Sequence, residues 1–204
     1  MMHADRQIPG WFPEVNRNHL IWLMREHDVK VVLEIGAFLG KSTVFFAERC
    51  EVVYSVDHWS IDCLTSEDEK RFAGELGLPR DFRMIWEDNL KQALDNSLGN
   101  GSHFGKVSPV RPDSPFLESF PLFRGGRLSD TPHPPDLCYI DGDHTYEAVK
   151  RDIEKYGPLA KKIICGDDYG VADGVTQAVL EVFGSVAGFG GVACTAGPFW
   201  WVVK

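Results

Sequence analysis

Two kinds of apolar pattern alternate along the chain. Continuous runs of strand length, VVLEIG (31–36), VVYSVD (52–57), DLCYID (136–141) and KIICGDD (162–168), end in glycine or aspartate, as strands buried on both faces do. Between them apolar residues recur at helical spacing. Asn16 to His27 carries Leu20, Leu23 and Met24 among polar neighbours, with an asparagine available as its cap, and KSTVFFAERC (41–50) follows the first strand. The polar segment 66–98 predicts mostly helix, with Asp81 opening DFRMIWEDNLKQAL, and KVSPVRPDS (106–114) predicts a weaker third strand. Beyond the fourth strand, Tyr146, Val149, Ile153 and Tyr156 fall on one helical face. VTQAVLEVFG (175–184) is a further helix, and GGVACTAGPFWWVVK (190–204) predicts two final strands forming an antiparallel hairpin.

Strand and helix alternating at this spacing predict βαβ units, hence an α/β fold with a doubly wound, mostly parallel sheet covered by helices on both faces. The chain, 204 residues long, has room for one well-cored domain and little more, so 1–204 is expected to be a single domain. It would carry an N-terminal segment and helix (1–27) and a Gly-, Pro-, Ser- and Arg-rich insertion (96–135), expected to be a lid or a disordered loop. A formal net charge of -9 argues against nucleic acid and anionic membranes as partners, and no apolar run is long enough to span a bilayer. MMHADRQIPGWFPE lacks the apolar core of a signal peptide, and the five scattered cysteines read as reduced interior residues. A cytoplasmic protein is expected.

In a parallel sheet all strands point their carboxyl ends to one edge, where ligands bind. The acids closing the predicted strands are Glu34, Asp57, Asp113, Asp141, Asp167 and Asp168, with Asp143 and His144 just beyond. Each alone reads equally well as a helix cap or a turn residue. Together they would repel one another unless something positive sits between them.

The turn after the first strand is EIGAFLGKST (34–43). Its G-x-x-x-G spacing is neither the dinucleotide fingerprint nor a phosphate loop. Gly36 and Gly40 allow close approach of a ligand to the backbone, Ser42 and Thr43 can donate hydrogen bonds at the helix start, and Asp57 at the end of the next strand suits ribose hydroxyls.

VLEIGAFLGKST, VYSVDHWS and DLCYIDGDHTYEAVKRDIEKYGPLAKKIICGDDYG together resemble the class I S-adenosylmethionine-dependent methyltransferases, from about residue 28 to the end. The D-G-D-H-x-Y-E and D-D-Y combination is similar to the small O-methyltransferase branch that includes macrolide-sugar enzymes and, more distantly, the catechol and caffeoyl-CoA enzymes. The resemblance implies a Rossmann-like, seven-stranded sheet. It also implies that Glu34 and the loop Gly36, Ala37, Phe38, Gly40, Ser42 and Thr43 hold the methionine part of S-adenosylmethionine. Asp57 would take the ribose, His58 and Trp59 would lie beside the adenine, and Asp113 and Ser114 would contact its edge. Asp141 borders the cofactor as well. Asp141, Asp167 and Asp168 fall on the family's metal-ligand positions, and His144 on that of the general base. Three carboxylates suit magnesium or another hard divalent cation. In two places the chain departs from its relatives: Ala160-Lys161-Lys162 replaces the usual Gly-Gly before the fifth strand, and Asp-Asp stands where the catechol-type enzymes have Asp-Asn.

The expected reaction is methyl transfer to an oxygen of a small hydroxylated acceptor, with metal assistance and His144 taking the proton. Rival readings are a nicotinamide-dependent oxidoreductase, a metal-dependent hydrolase using the Asp-Gly-Asp-His cluster, and a non-catalytic cofactor-binding module. Trp11, Phe12, Phe116, Phe120 and Phe123 fit an acceptor wall, core packing or a homo-oligomer contact equally, and the acceptor's identity is open.

Overall fold

The computed structural model describes residues 7–98, 106–113, 133–184, 193–194 and 197–204. In chain order the elements are α1 (Glu14–Glu26), β1 (Val31–Ile35), α2 (Lys41–Ala47), β2 (Val52–Val56), α3 (Glu67–Glu75), α4 (Arg83–Leu98) and β3 (Val107–Val110). There follow β4 (Leu137–Ile140), α5 (Tyr146–Tyr156), β5 (Ile163–Gly166), α6 (Asp173–Phe183), β6 (Ala193–Cys194) and β7 (Trp200–Val203). One seven-stranded sheet runs in the order β3-β2-β1-β4-β5-β7-β6. The first five strands pair in parallel, and β7 is antiparallel to both β5 and β6.

Alternation along the strands divides the core. Val32, Val53 and Tyr139 face the layer that includes Leu20, Phe45, Phe46 and Trp86, whereas Val31, Leu33, Ile35, Cys138 and Ile140 face Val149, Ile153 and Val179. Pro109 is tolerated within β3 because that strand is the sheet's edge. The final two strands pair antiparallel as expected, and β7 pairs with β5 as well, so that it lies between β5 and β6, where Trp200, Phe199 and Val202 are buried.

Asn16 does not cap the first helix. Pro13 occupies the N-cap with extended backbone (φ -61°, ψ 150°), so the helix begins two residues before Asn16, which is wholly buried in its first turn. Asp81 opens the turn that leads into its helix, its Oδ1 accepting from Arg83 N at 3.0 Å.

Asp136, unremarkable in sequence, ties the strand starts together. It is 3% exposed, and its carboxylate accepts from Lys30 N (2.9 Å) and Val31 N (3.1 Å) and pairs with Lys161 and Lys162. The two lysines thus have a structural role. Burial pushes the carboxyl's pKa up, but the amides and lysines outweigh it and leave it below the usual range. A lowered folded-state pKa contributes stability that is complete above the ordinary aspartate value of about 3.9 and is lost as pH falls through the lower folded value. Asp136→Ala is expected to cost about 2–3 kcal/mol in urea denaturation at pH 7, most of it gone by the acid limb; an unchanged midpoint would refute the role.

No helix among the described residues is long and apolar enough to cross a membrane. Cys50, Cys138 and Cys165 are buried free thiols, and Cys63 is exposed and free.

Candidate functional site

The site is built where β1, β2, β4 and β5 end. Gly36 follows β1 with φ +87°, and a Cβ placed there would lie 2.1 Å from the Asp141 carbonyl oxygen, so only glycine lets the loop cross the end of β4. Gly40, also left-handed at φ +94°, is the N-cap of α2. Asp57 pins the loop between them: its Oδ2 accepts from Ala37 N and Phe38 N, each at 2.9 Å, and its Oδ1 from Trp59 N at 2.6 Å. Burial raises the Asp57 carboxyl's pKa despite these three amides.

Glu34 lies on the α2-facing side of β1, since strand alternation places it with Val32. It is fully buried, receiving Ser42 Oγ (2.5 Å), Thr43 Oγ1 (2.7 Å) and Ser55 Oγ (2.7 Å). Burial pushes its pKa up to about 7, against the pull of the hydroxyls. Glu34 therefore braces the loop from behind and does not stand at the crevice with the other acids.

Two cavities open at this edge. The first, of about 390 Å³, is lined by Gly36, Phe38, Asp57, His58, Asp113, Asp141 and Gly142, together with Cys63, Thr65, Asp152 and Lys155. The second, of about 490 Å³, is lined by Trp11, Ala37, Lys41, Ser42, Glu69, Asp141, His144, Asp167, Asp168 and Val171, among others. Gly36, Phe38, Glu69 and Asp141 border both. Glu34, Gly40, Thr43 and Trp59 line neither. Trp59 is fully buried against Trp86 (4.9 Å between centroids), its backbone turned inward at φ +49°. Of the adenine pair expected from the sequence, His58 is at the first cavity and Trp59 in the core. Ser114, Phe116, Phe120 and Phe123 lie outside the described residues, as does most of 96–135.

The acids meet at the second cavity. His144 Nε2 lies 3.1 Å from Asp168 Oδ2 and 3.8 Å from Asp141 Oδ1, and one donor atom from each of the three falls within 4.8 Å of the others. Tyr139 OH donates to Asp141 Oδ2 at 3.0 Å. Asp168 has a left-handed backbone (φ +62°) and its amide donates to Asp167 Oδ1 at 2.8 Å; the Asp167 carbonyl receives the Trp200 indole N–H at 3.2 Å. Asp167 stands outside the tight trio but lines the same cavity at 8% exposure. Burial, then the charge of Asp141, pushes its pKa up to about 7. The neighbouring carboxylate of Asp141, with the charges of Asp168 and Glu69, lifts His144 to about 9 against its burial. Carboxylates that resist ionising beside a retained imidazolium mark a site short of positive charge.

The donor set fits a hard divalent cation: carboxylate oxygens predominate with one imidazole, and no thiolate is present among the described residues at the cluster. The carboxamide of Asn16, wholly buried beside Asp167, makes no hydrogen bond of normal geometry, leaving polar capacity next to the cluster.

Several lining residues escaped the sequence reading. Thr65 Oγ1 donates to Asp143 Oδ1 at 2.9 Å, which also accepts from Thr145 N; Asp143 thus fixes the turn into α5 and ties it to the segment before α3. No periodicity connects positions 65 and 143. Tyr139 read as one more apolar strand residue.

A family model described as a methyltransferase domain matches residues 33–169. No curated protein matches the chain in sequence. Among solved structures, the chain is similar to the O-methyltransferase TomG from Streptomyces achromogenes, involved in tomaymycin synthesis and solved with SAM, at 14% identity and a TM-score of 0.58 over 99% of this chain and 86% of that one. An O-methyltransferase from Bacillus cereus in complex with SAH matches at 16% identity and a TM-score of 0.56 over 100% and 87% of the two chains. CalS11, a TDP-rhamnose 3′-O-methyltransferase of calicheamicin biosynthesis, matches at 17% identity and 0.58 over 94% and 81%. At these identities the likeness is one of fold.

Proposed function

The chain belongs to the methyltransferase-domain family, and from that premise we propose that it transfers a methyl group from S-adenosylmethionine to an oxygen of a small hydroxylated acceptor. The observation that carries the reading is the meeting of two cavities at Gly36, Phe38, Glu69 and Asp141. One cavity runs past the ribose-type acid Asp57, and the other ends on the acid–imidazole cluster. The described strands share one sheet, which supports reading 1–204 as a single methyltransferase domain, and the free thiols of Cys50, Cys63, Cys138 and Cys165 agree with a cytoplasmic setting.

The first cavity has the size of a cofactor site. Asp57 spends three acceptor positions on the loop amides and keeps capacity for ribose hydroxyls on its cavity side. His58 and Asp113 serve the adenine end. Gly36 to Phe38 and Ser42 present the backbone and a hydroxyl toward the methionine end, while Glu34, Thr43 and Gly40 hold that loop in shape. S-adenosylmethionine, when bound, supplies a methyl on a sulfonium that departs as a neutral thioether.

The acceptor's hydroxyl is held in the second cavity against Asp141 and Asp168, and His144, whose Nε2 lies 3.1 Å from Asp168, takes its proton; the shared lining of that cavity supports these roles. Positioning the two reactants in adjoining cavities removes much of the entropic barrier. Asp141, Asp167 and Asp168 are the groups that would hold a divalent cation, with His144 outside the ligand set as the base; when bound, the cation would supply charge that acidifies a neighbouring hydroxyl and relieves the acids keeping His144 protonated.

Calorimetric titration of S-adenosylhomocysteine into metal-stripped protein, with and without magnesium and with NADH as control, tests the reading. Binding on the order of micromolar is expected without metal, with a magnesium-dependent heat or affinity change and no response to NADH. Folded protein that binds no S-adenosylhomocysteine in either condition would sink the proposal and bring the Asp-Gly-Asp-His hydrolase forward.

A further inference from the structure

We infer that the methyl acceptor carries a protonated amine beside its hydroxyls, received by Glu69; this deepens, and rests on, the methyl-transfer reading above. The second cavity is lined by the carboxylates of Asp68, Glu69, Asp141, Asp167 and Asp168, against only Lys41 and His144 on the basic side. Lys41 Nζ donates to Gly10 O at 2.8 Å, and Asp68 is paired with Arg71 at 2.7 Å. Glu69 differs. Its Oε2 accepts from Ser66 N at 3.2 Å as part of the capping box of α3, and among the described residues its Oε1 has no hydrogen-bond donor. A divalent cation at Asp141 and Asp168 would offset charge there and leave Glu69 unmatched on the α3 wall. A low-dielectric cleft focuses such a field and concentrates cations.

The cavity mouth is apolar. Trp11 is 57% exposed with its ring 4.7 Å from Phe72, and Val171 is 71% exposed. A flat or apolar body resting on Trp11, with an ammonium near its π face and Glu69, matches this wall. Acceptors bearing phosphate, carboxylate or a nucleotide diphosphate meet a field of the wrong sign.

Initial rates with S-adenosylmethionine and three ring-matched vicinal diols test this: dopamine (cationic), 4-methylcatechol (neutral) and 3,4-dihydroxyphenylacetate (anionic). The expected kcat/KM order is cation, neutral, anion, with about tenfold or more between the extremes. Glu69→Gln preserves the capping box, since glutamine serves at that position, and is expected to lower the cation-to-neutral ratio about tenfold, mainly through KM. An anionic diol used as well as the cationic one overturns the inference. So does Glu69→Gln weakening S-adenosylhomocysteine binding in place of amine preference, or no turnover of any diol by protein that binds S-adenosylhomocysteine normally. Wild-type protein that fails to bind S-adenosylhomocysteine would overturn the methyl-transfer reading itself.

Discussion

Gly36→Ala is expected to abolish S-adenosylhomocysteine binding and to destabilise the fold by roughly 3 kcal/mol or more. Two costs combine. The left-handed backbone at φ +87° is strained for any residue with a Cβ, a cost of about 1 kcal/mol. The larger cost is steric: the added carbon would meet the Asp141 carbonyl oxygen at 2.1 Å, its carbon at 2.5 Å and Gly142 Cα at 2.7 Å. All are backbone atoms at the end of β4 and cannot rotate away. Nearby, Gly36 N donates to Val56 O and Asp141 N to Ile35 O, so relief requires prising β1 from its neighbours. Both cavities border this residue and would deform together. Gly77→Ala is the control, since it carries a similar φ of +64° with nothing within 4 Å of the added Cβ. Urea denaturation and calorimetry on both variants separate strain from collision. Equal effects, or a Gly36→Ala protein that binds S-adenosylhomocysteine normally, would show that the close crossing of β1 and β4 is unimportant.

His144→Ala is expected to lower turnover about 10²–10⁴-fold while S-adenosylhomocysteine affinity changes less than about threefold. The imidazole lines the second cavity only, so its loss leaves the walls of the first intact. Its Nε2 is held by Asp168 at 3.1 Å and borders Asp141, which fixes where a proton would be received. The side chain is partly exposed, so truncation removes little packing and folding should be preserved. Rates in acceptor saturation, alongside the calorimetric titration, give the answer. Full turnover in the variant would remove His144 from the mechanism, and lost cofactor affinity with normal turnover would reassign it.

Much of the architecture could be read in advance, because strands buried on both faces must be continuously apolar and helices flanking them must be striped. VVLEIG and DLCYID could hardly be anything else, and the observed strands fall inside the predicted runs. The tail was legible as two strands but not as an insertion: placing β7 between β5 and β6 depends on which edge is open, and no local pattern encodes that. Asn16 had the composition of a cap and became a buried residue beside Asp167 once Pro13 set the helix start.

Within the site, the crevice rule places Asp57, Asp141 and the Asp167–Asp168 corner at the sheet's carboxyl edge, and the structure puts them there. The rule treats every strand-terminal acid alike. Glu34 sits one residue before its strand's end, and at a side-chain period of two that single step turns it from the crevice to the α2 face, among Ser42, Thr43 and Ser55. Trp59 fell beside His58 in sequence yet points into the core, since a left-handed turn separates them. Glu69 and Thr65 looked like members of a solvated helix and its lead-in. Their place at the cavities depends on how the segment between β2 and β3 folds back over the sheet edge.

By itself the sequence determined the alternation of strand and helix, the parallel sheet that follows, and the supply of acids and glycines to its carboxyl edge. These are properties of local periodicity and short loops, which act over a few residues. The tertiary structure alone decided which acids share a cavity, which one is buried as a brace, and that Glu69 and His144 line the same cavity. Those outcomes depend on contacts between segments remote in the chain, set by packing and by strand order, and hydrophobic burial is non-directional enough that no single segment carries them.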